Sequence, residues 1–313
     1  MTTLDATMQC HSVLVKRAHF LKTVRRFLDE RGVLEVDVPA LSRAAVTDPN
    51  IECLQVQSPL RGNEHYFLMP SPEFYLKRLL VRGSGSLYSL GRAYRAGERG
   101  TRHQPEFALL EWYRPGWSLL QLRQEVEALV SLFLDLPVQY CSYADAFKQV
   151  LCLDPYRVSL SQLQTVAQPY QPAFESDDKS VWLDFLFSHA VEPRLQGLVF
   201  VDEFPACQAA LAKTAKDAQG NDIGLRFELY VNGIEIANAY CEETDVTALS
   251  SRFSLDLAIR QQRGQYTPAV DVAFLTAMQQ GMPDCAGVAL GVDRLFMLSM
   301  GRRSLVDVLP FWL

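Results

Sequence analysis

The chain has 313 residues, enough to bury a substantial core, with 49% apolar and 21% charged side chains. Its net charge of −6 argues against holding nucleic acid by bulk electrostatics, which usually leaves a basic patch or stripe. The start MTTLDATMQCHSVLVKR lacks a signal pattern, no stretch approaches 18 uninterrupted apolar residues, and the seven cysteines contain no CxxC pair. These features predict a cytoplasmic protein without membrane segment, disulfide framework or zinc site.

The first element is a helix over 14–31, with Val15, Ala18, Leu21, Val24 and Leu28 as its inner stripe and Gly32 as its stop. VLEVDVP then alternates as a strand, with Leu34, Val36 and Val38 on one face and Pro39 at its end. A strand over 64–70 leads into a loop and short helix in SPEFYLKRLLVRG. Residues 86–95 and 105–113 form a long hairpin across the loop 96–104. Ser118 and Gln121 make a capping box for a helix whose stripe runs from Leu119 to Phe133.

Residues 140–195 hold short helical patterns broken by Pro155, Pro172 and Pro193, a helical insertion. GLVFVDEFP is a strand, 206–224 a mobile loop, and LRFELYVNGIEIANAY two strands joined at Asn232-Gly233, a strong hairpin signal. Asp245 caps a helix reaching Arg263, which Gly264 ends; AGVALGVD is a strand running into the helix RLFMLSMG. Hairpin-linked strands with helices before, between and after define an α+β class with a mainly antiparallel sheet. No Walker A and no G-x-G-x-x-G follow a strand, so a nucleotide would be held another way.

Alternation along 106–113 puts Phe107, Leu109, Glu111 and Tyr113 on one face. That face offers an aromatic plate, a carboxylate and a phenol over roughly 20 Å. A planar base could stack on Phe107, an α-phosphate meet Arg95, and an amino group reach Glu111. A solvated hairpin with one polar face is the other reading of this stretch. In GVALGVDR, Gly287, Ala289 and Gly291 share a strand face and leave a shelf for a flat ligand. Arg294 follows in the first turn of a helix, where its charge gains nothing from the helix dipole and suits an anion. The alternative there is tight strand–helix packing with a surface arginine. Glu235 and Glu242 supply carboxylates for Mg²⁺ beside phosphates.

These pieces resemble the motifs of the class II aminoacyl-tRNA synthetases, in particular the lysyl branch. ERGVLEVDVPAL resembles motif 1, Arg95 with RHQPEFALLEWY motif 2, and GVALGVDR motif 3; IEIANAYCEETD resembles the Mg-ATP and lysine-binding segment. The similarity runs from about residue 14 to the end, with no anticodon-binding OB domain. It implies one class II synthetase-like catalytic domain over 1–313. The whole length is similar to truncated lysyl-synthetase paralogues that act as protein ligases. Such ligases activate (R)-β-lysine or lysine with ATP as an adenylate and pass it to the ε-amino group of a lysine on elongation factor P.

The resemblance implies a role for each residue. Arg95 would hold the α-phosphate and Arg294 the γ-phosphate. Ala96, Gly97, Glu98, Arg102, His103, Gln104, Phe107, Ile236 and Gly291 would complete the ATP site, and Glu235 and Glu242 would bind Mg²⁺. Ser71, Pro72, Glu73, Glu111, Tyr113, Asn238, Glu242 and Ala289 would line the amino-acid pocket. A homodimer through the motif 1 region near Pro39 is implied, and tRNA is not the expected acceptor. Two positions depart from the pattern. The motif 2 acid arrives late, at Glu98, which leaves the backbone of 96–97 as the alternative contact for adenine. Ala289 replaces a glycine and would turn the pocket away from α-lysine. A truncated enzyme charging tRNA, a non-catalytic regulatory paralogue and an ammonia-using amide former are the competing readings.

Overall fold

The computed structural model describes residues 3–58 and 64–312, with side chains from residue 11 onward. Two features of the sequence reading, the first residues of the N-terminal start and the Cys10 thiol, lie outside the described residues; the other six cysteines are free thiols. In chain order, α1 (Thr3–Asp29), β1 (Leu34–Glu35) and β2 (Leu41–Ser42) precede β3 (Gln55–Ser58), β4 (Glu64–Leu68) and α2 (Glu73–Val81). The hairpin β5 (Leu87–Tyr94) and β6 (Glu106–Pro115) follows, then α3 (Leu119–Val130) and β7 (Val138–Ser142). Three helices, α4 (Tyr143–Leu151), α5 (Leu160–Ala167) and α6 (Lys179–Leu186), separate β7 from β8 (Leu198–Pro205). The chain finishes with β9 (Thr214–Lys216), β10 (Asp222–Val231), β11 (Glu235–Cys241), α7 (Val246–Gln262), α8 (Val272–Met278), β12 (Cys285–Gly291) and α9 (Val292–Ser299).

The main sheet runs β1-β5-β6-β12-β11-β10-β8-β7, with β9 added on β10. Only the outermost pairs, β1 with β5 and β7 with β8, are parallel; the interior is antiparallel, as expected. β2, β4 and β3 make a separate small sheet. No described helix is long and apolar enough to cross a membrane.

Alternation divides the sheet into two chemically different faces. Ala108, Leu110 and Trp112 of β6, Val288 and Leu290 of β12 and Phe227 and Leu229 of β10 point back onto α1, α3 and α9 in one core cluster. On the front, α2, α7 and α8 bury Phe74, Leu80, Phe253 and Phe274 against Leu87 and Tyr113. The helices between β7 and β8 bury Tyr143, Phe147, Trp182 and Phe187 against Val199, Val201 and Tyr230. Asn232 and Gly233 both have positive φ (49° and 71°), which forms the tight β10–β11 turn. The Ser118 capping box and the Asp245 cap are present.

Three expectations are corrected. The inner stripe of α1 is Phe20, Val24, Phe27 and Leu28; Val15 and Ala18 face outward. Aromatic residues at 20 and 27 set the phase by filling the space under the sheet. The strand after Gly32 is two residues long, and Leu34 is 56% exposed, because Val33 takes the buried place. The segment expected to be a mobile loop contains β9, paired with β10, and a turn in which Asp217 accepts hydrogen bonds from Gln219 and Asn221.

Candidate active site

Register across the front face places the polar side chains in rows. Ser89, Glu111, Ala289, Asn238 and Glu228 stand in one row, and Leu87, Tyr113, Gly287, Tyr240 and Arg226 in the next. A third row holds Gly91, Leu109 and Gly291, with Phe107 beyond it on β6. The face predicted for Phe107, Leu109, Glu111 and Tyr113 is therefore the one on which these candidates meet.

At one end of the rows the acids gather around α2. Lys77, fully buried, bridges Glu73 and Glu242 at 2.6 Å each, and Tyr113 donates to Glu111 at 2.7 Å. Burial, reinforced by the Glu73 charge, pushes the Glu111 carboxyl up to about 8. Burial raises Glu242 as well, while the Lys77 ammonium draws it back down. A Cβ on Gly287 would sit 2.4 Å from Glu242 Oε1 and 2.4 Å from the Tyr113 ring. The expected shelf is consequently filled at Gly287 by these side chains and narrows to Ala289 and Gly291. Ser71 and Pro72 lie where the chain enters α2, with Pro72 at its N-cap.

At the other end stand the arginines. Arg294 donates from Nη1 to the Glu235 carbonyl (2.9 Å), from Nε to the Arg102 carbonyl (3.3 Å) and from Nη2 to His103 Nε2 (2.5 Å). Partial burial and the Arg294 charge lower the His103 pKa, so this ring is a neutral acceptor that orients Arg294. Arg95 lies with Cζ 5.1 Å from the centroid of Phe107 and Nη1 3.4 Å from Glu98. Its buried Nε has no hydrogen-bond partner among the described residues, the arrangement of a cation that serves an external anion. The Ala96 N–H is committed to the Glu52 carbonyl at 2.8 Å, which removes it as an adenine contact. Gln104 is buried behind the loop, and the Ile236 side chain sits in the rear core, leaving only its carbonyl toward Gly291.

The two acids expected to share Mg²⁺ lie at opposite ends of β11. Seven residues of extended chain span roughly 23 Å, too far for one ion. Glu242 is also 1% exposed and already paired with Lys77. The Glu235 charge is felt by Glu192, Asp184 and Glu228; of these Glu228 is largely buried on the sheet, bonded by Arg226, Tyr230 and Asn238, and its carboxyl is raised by burial and then by the Glu235 charge. Glu235 itself keeps 39% of its side chain exposed. An exposed carboxylate backed by a second fits an ion that takes one or two protein acids plus phosphates.

The sequence reading therefore missed Lys77, Arg226 and Glu228. The signals were available: Lys77 follows Glu73 by one helical turn, and Arg226, Glu228 and Tyr230 alternate with Phe227, Leu229 and Val231.

An antiparallel sheet with an arginine-bearing hairpin at one side and an arginine helix after a small-residue strand is the catalytic architecture of a class II synthetase. The profile of tRNA synthetases class II (D, K and N) matches residues 2–312, and the chain belongs to that family. It is also 40% identical over 307 residues to the elongation factor P--(R)-beta-lysine ligase of Yersinia enterocolitica serotype O:8 / biotype 1B (strain NCTC 13174 / 8081). The match covers 95% of this chain and 94% of that protein.

Proposed function

We propose that this chain is an ATP-dependent, AMP-forming ligase. It activates (R)-β-lysine or lysine as an adenylate and transfers it to the ε-amino group of a lysine on elongation factor P. The observation that carries this reading is the cluster of Glu73 with the buried Glu111 and Glu242 around Lys77, on a sheet whose flanking segments carry Arg95 and Arg294. Buried carboxylates need partners, and a substrate with two ammonium groups supplies them. The activity named for that Yersinia relative and its near full-length match support the same conclusion.

Catalysis in this reading is positioning and charge neutralisation, with the amino-acid carboxylate attacking the α-phosphorus in line. Arg95 binds the α-phosphate, Arg294 the γ-phosphate, and Arg102 the departing pyrophosphate. Phe107 stacks on adenine, a face that the Arg95 guanidinium shares. Mg²⁺ held by Glu235, with Glu228 behind it, would neutralise phosphate charge. Asn238, Tyr113 and the three acids receive the amino acid. The chain acts as one catalytic domain over 1–313, the helices of 140–195 being an insertion, and works in the cytoplasm as a homodimer joined near Pro39. Exposed Leu14, Val15, Leu34 and Leu41 around that segment support the dimer.

The test is to incubate the protein with ATP, Mg²⁺, each lysine isomer and elongation factor P, and to weigh the acceptor. A gain of one lysine residue on a single acceptor lysine is expected. An unchanged acceptor mass with every isomer sinks the reading, and charging of lysine tRNA in a parallel reaction would favour the tRNA alternative.

A further inference from the structure

Lys77 carries a charge that the chemistry above leaves unused. Lysine is almost never fully buried unless paired, and here the ammonium is sealed from water between two carboxylates on different elements, Glu73 of α2 and Glu242 beyond β11. Glu242 lies against the bare backbone of Gly287, and Glu73 is one turn away on the same helix as Lys77. Once Glu111 ionises, three carboxylates against one fixed ammonium leave a surplus of two negative charges, the complement of a substrate with two amino groups.

We propose that Lys77 is a positioning and specificity-determining residue of the amino-acid pocket. Its ammonium holds Glu73 and Glu242 side by side and closes the gap between them, so that their charge serves the substrate. The inference rests on the amino-acid-binding role assigned to this pocket. The other titratable groups facing it are Glu111 and Tyr113 from β6, Tyr240 from β11 and Cys285 from β12. None of them is cationic, and the Lys77 ammonium is the charge that draws Glu242 toward its ionised form. Burial works against the Lys77 ammonium, yet Glu242 and Glu73 more than offset it, and the group stays charged at any working pH.

The sign of the effect follows. Without the ammonium, burial and the Glu73 charge dominate Glu242, which then holds a proton at neutral pH. A substrate ammonium must displace that proton, so binding weakens at neutral pH and recovers as pH rises.

The experiment is lysine-dependent exchange of pyrophosphate with ATP, followed against pH. Lys77→Met should raise KM for the amino acid about tenfold or more near pH 7 per unit of pKa shift, and return toward the parent value near pH 9. KM for ATP should stay at the parent value. Lys77→Arg, which keeps the charge, should keep the parent's pH midpoint. In Lys77→Ala, n-propylammonium, which replaces the deleted atoms, should restore binding. Three results overturn the inference: a Lys77→Met variant with the parent's KM and pH profile, a rise in KM equal for ATP and amino acid at every pH, or a shifted midpoint in Lys77→Arg. The parent protein run alongside separates the two readings. Absence of its own exchange with every lysine isomer removes the proposed function, whereas parent exchange with unaltered variants removes only the role of Lys77.

Discussion

Arg294 owes its position to three neighbours rather than to its own helix. The Glu235 carbonyl, the Arg102 carbonyl and the neutral ring of His103 each accept from a different nitrogen. A guanidinium fixed this way is preorganised for an anion and need not reorganise when one arrives. Replacing Arg294→Ala should lower the amino-acid-dependent pyrophosphate exchange rate by about 10²–10³-fold, the usual cost of one preorganised donor. Unaltered exchange would remove Arg294 from the phosphate site. Glu111 gives a second expectation. With its carboxyl raised to about 8 by burial and then by Glu73, it is protonated near neutrality and must ionise to receive an ammonium. Ligand binding therefore expels a proton. KM for the amino acid should fall by up to about tenfold per pH unit as pH rises toward 8 and flatten above it. A KM independent of pH over that range would contradict the assignment.

Among the elements, β12 shows how closely backbone and side chain are fitted. Gly287→Ala would drive a methyl group into the Glu242 carboxylate and the Tyr113 ring, whereas the same change at Gly291 meets nothing closer than 3.7 Å. Overpacking of this kind costs about 1–3 kcal/mol. The first variant should lose melting temperature and amino-acid affinity, and the second should resemble the parent. Equal melting curves and KM values for the two variants would refute the contrast. The same strand marks what sequence could and could not convey. Alternation in β6 and β12 and the Asn232-Gly233 turn were legible because period-two patterning and positive-φ turn residues are local properties. The crowding at Gly287 was not, because it depends on Glu242 and Tyr113 arriving from two neighbouring strands. The misplaced Mg²⁺ pair has a similar origin. Glu235 and Glu242 look close in the chain, but an extended strand carries them apart, while the β10–β11 turn brings Glu228 toward Glu235. The phase of α1 failed for want of tertiary information, since Val15 and Phe20 are equally apolar and only packing under the sheet chooses between them.

On the scale of the whole molecule, Leu34 at 56% exposure lies at the sheet edge in the motif 1 segment. A homodimer would cover it. Sedimentation should give twice the 35.3 kDa chain mass, and Leu34→Glu should shift the population toward single chains; a parent that sediments as one chain at about 10 μM removes the dimer. The motif 2 loop belongs to a larger assembly too, for the N–H of Leu305 donates to the Thr101 carbonyl at 2.9 Å, and Leu305 is itself buried. The far end of the polypeptide thus straps down the hairpin tip that carries Arg102 and His103. Deletions from the C-terminus that reach Leu305 also remove Val308, buried in the same core, and should lower nucleotide affinity together with melting temperature; a truncation that left nucleotide affinity at the parent's value would refute the strap.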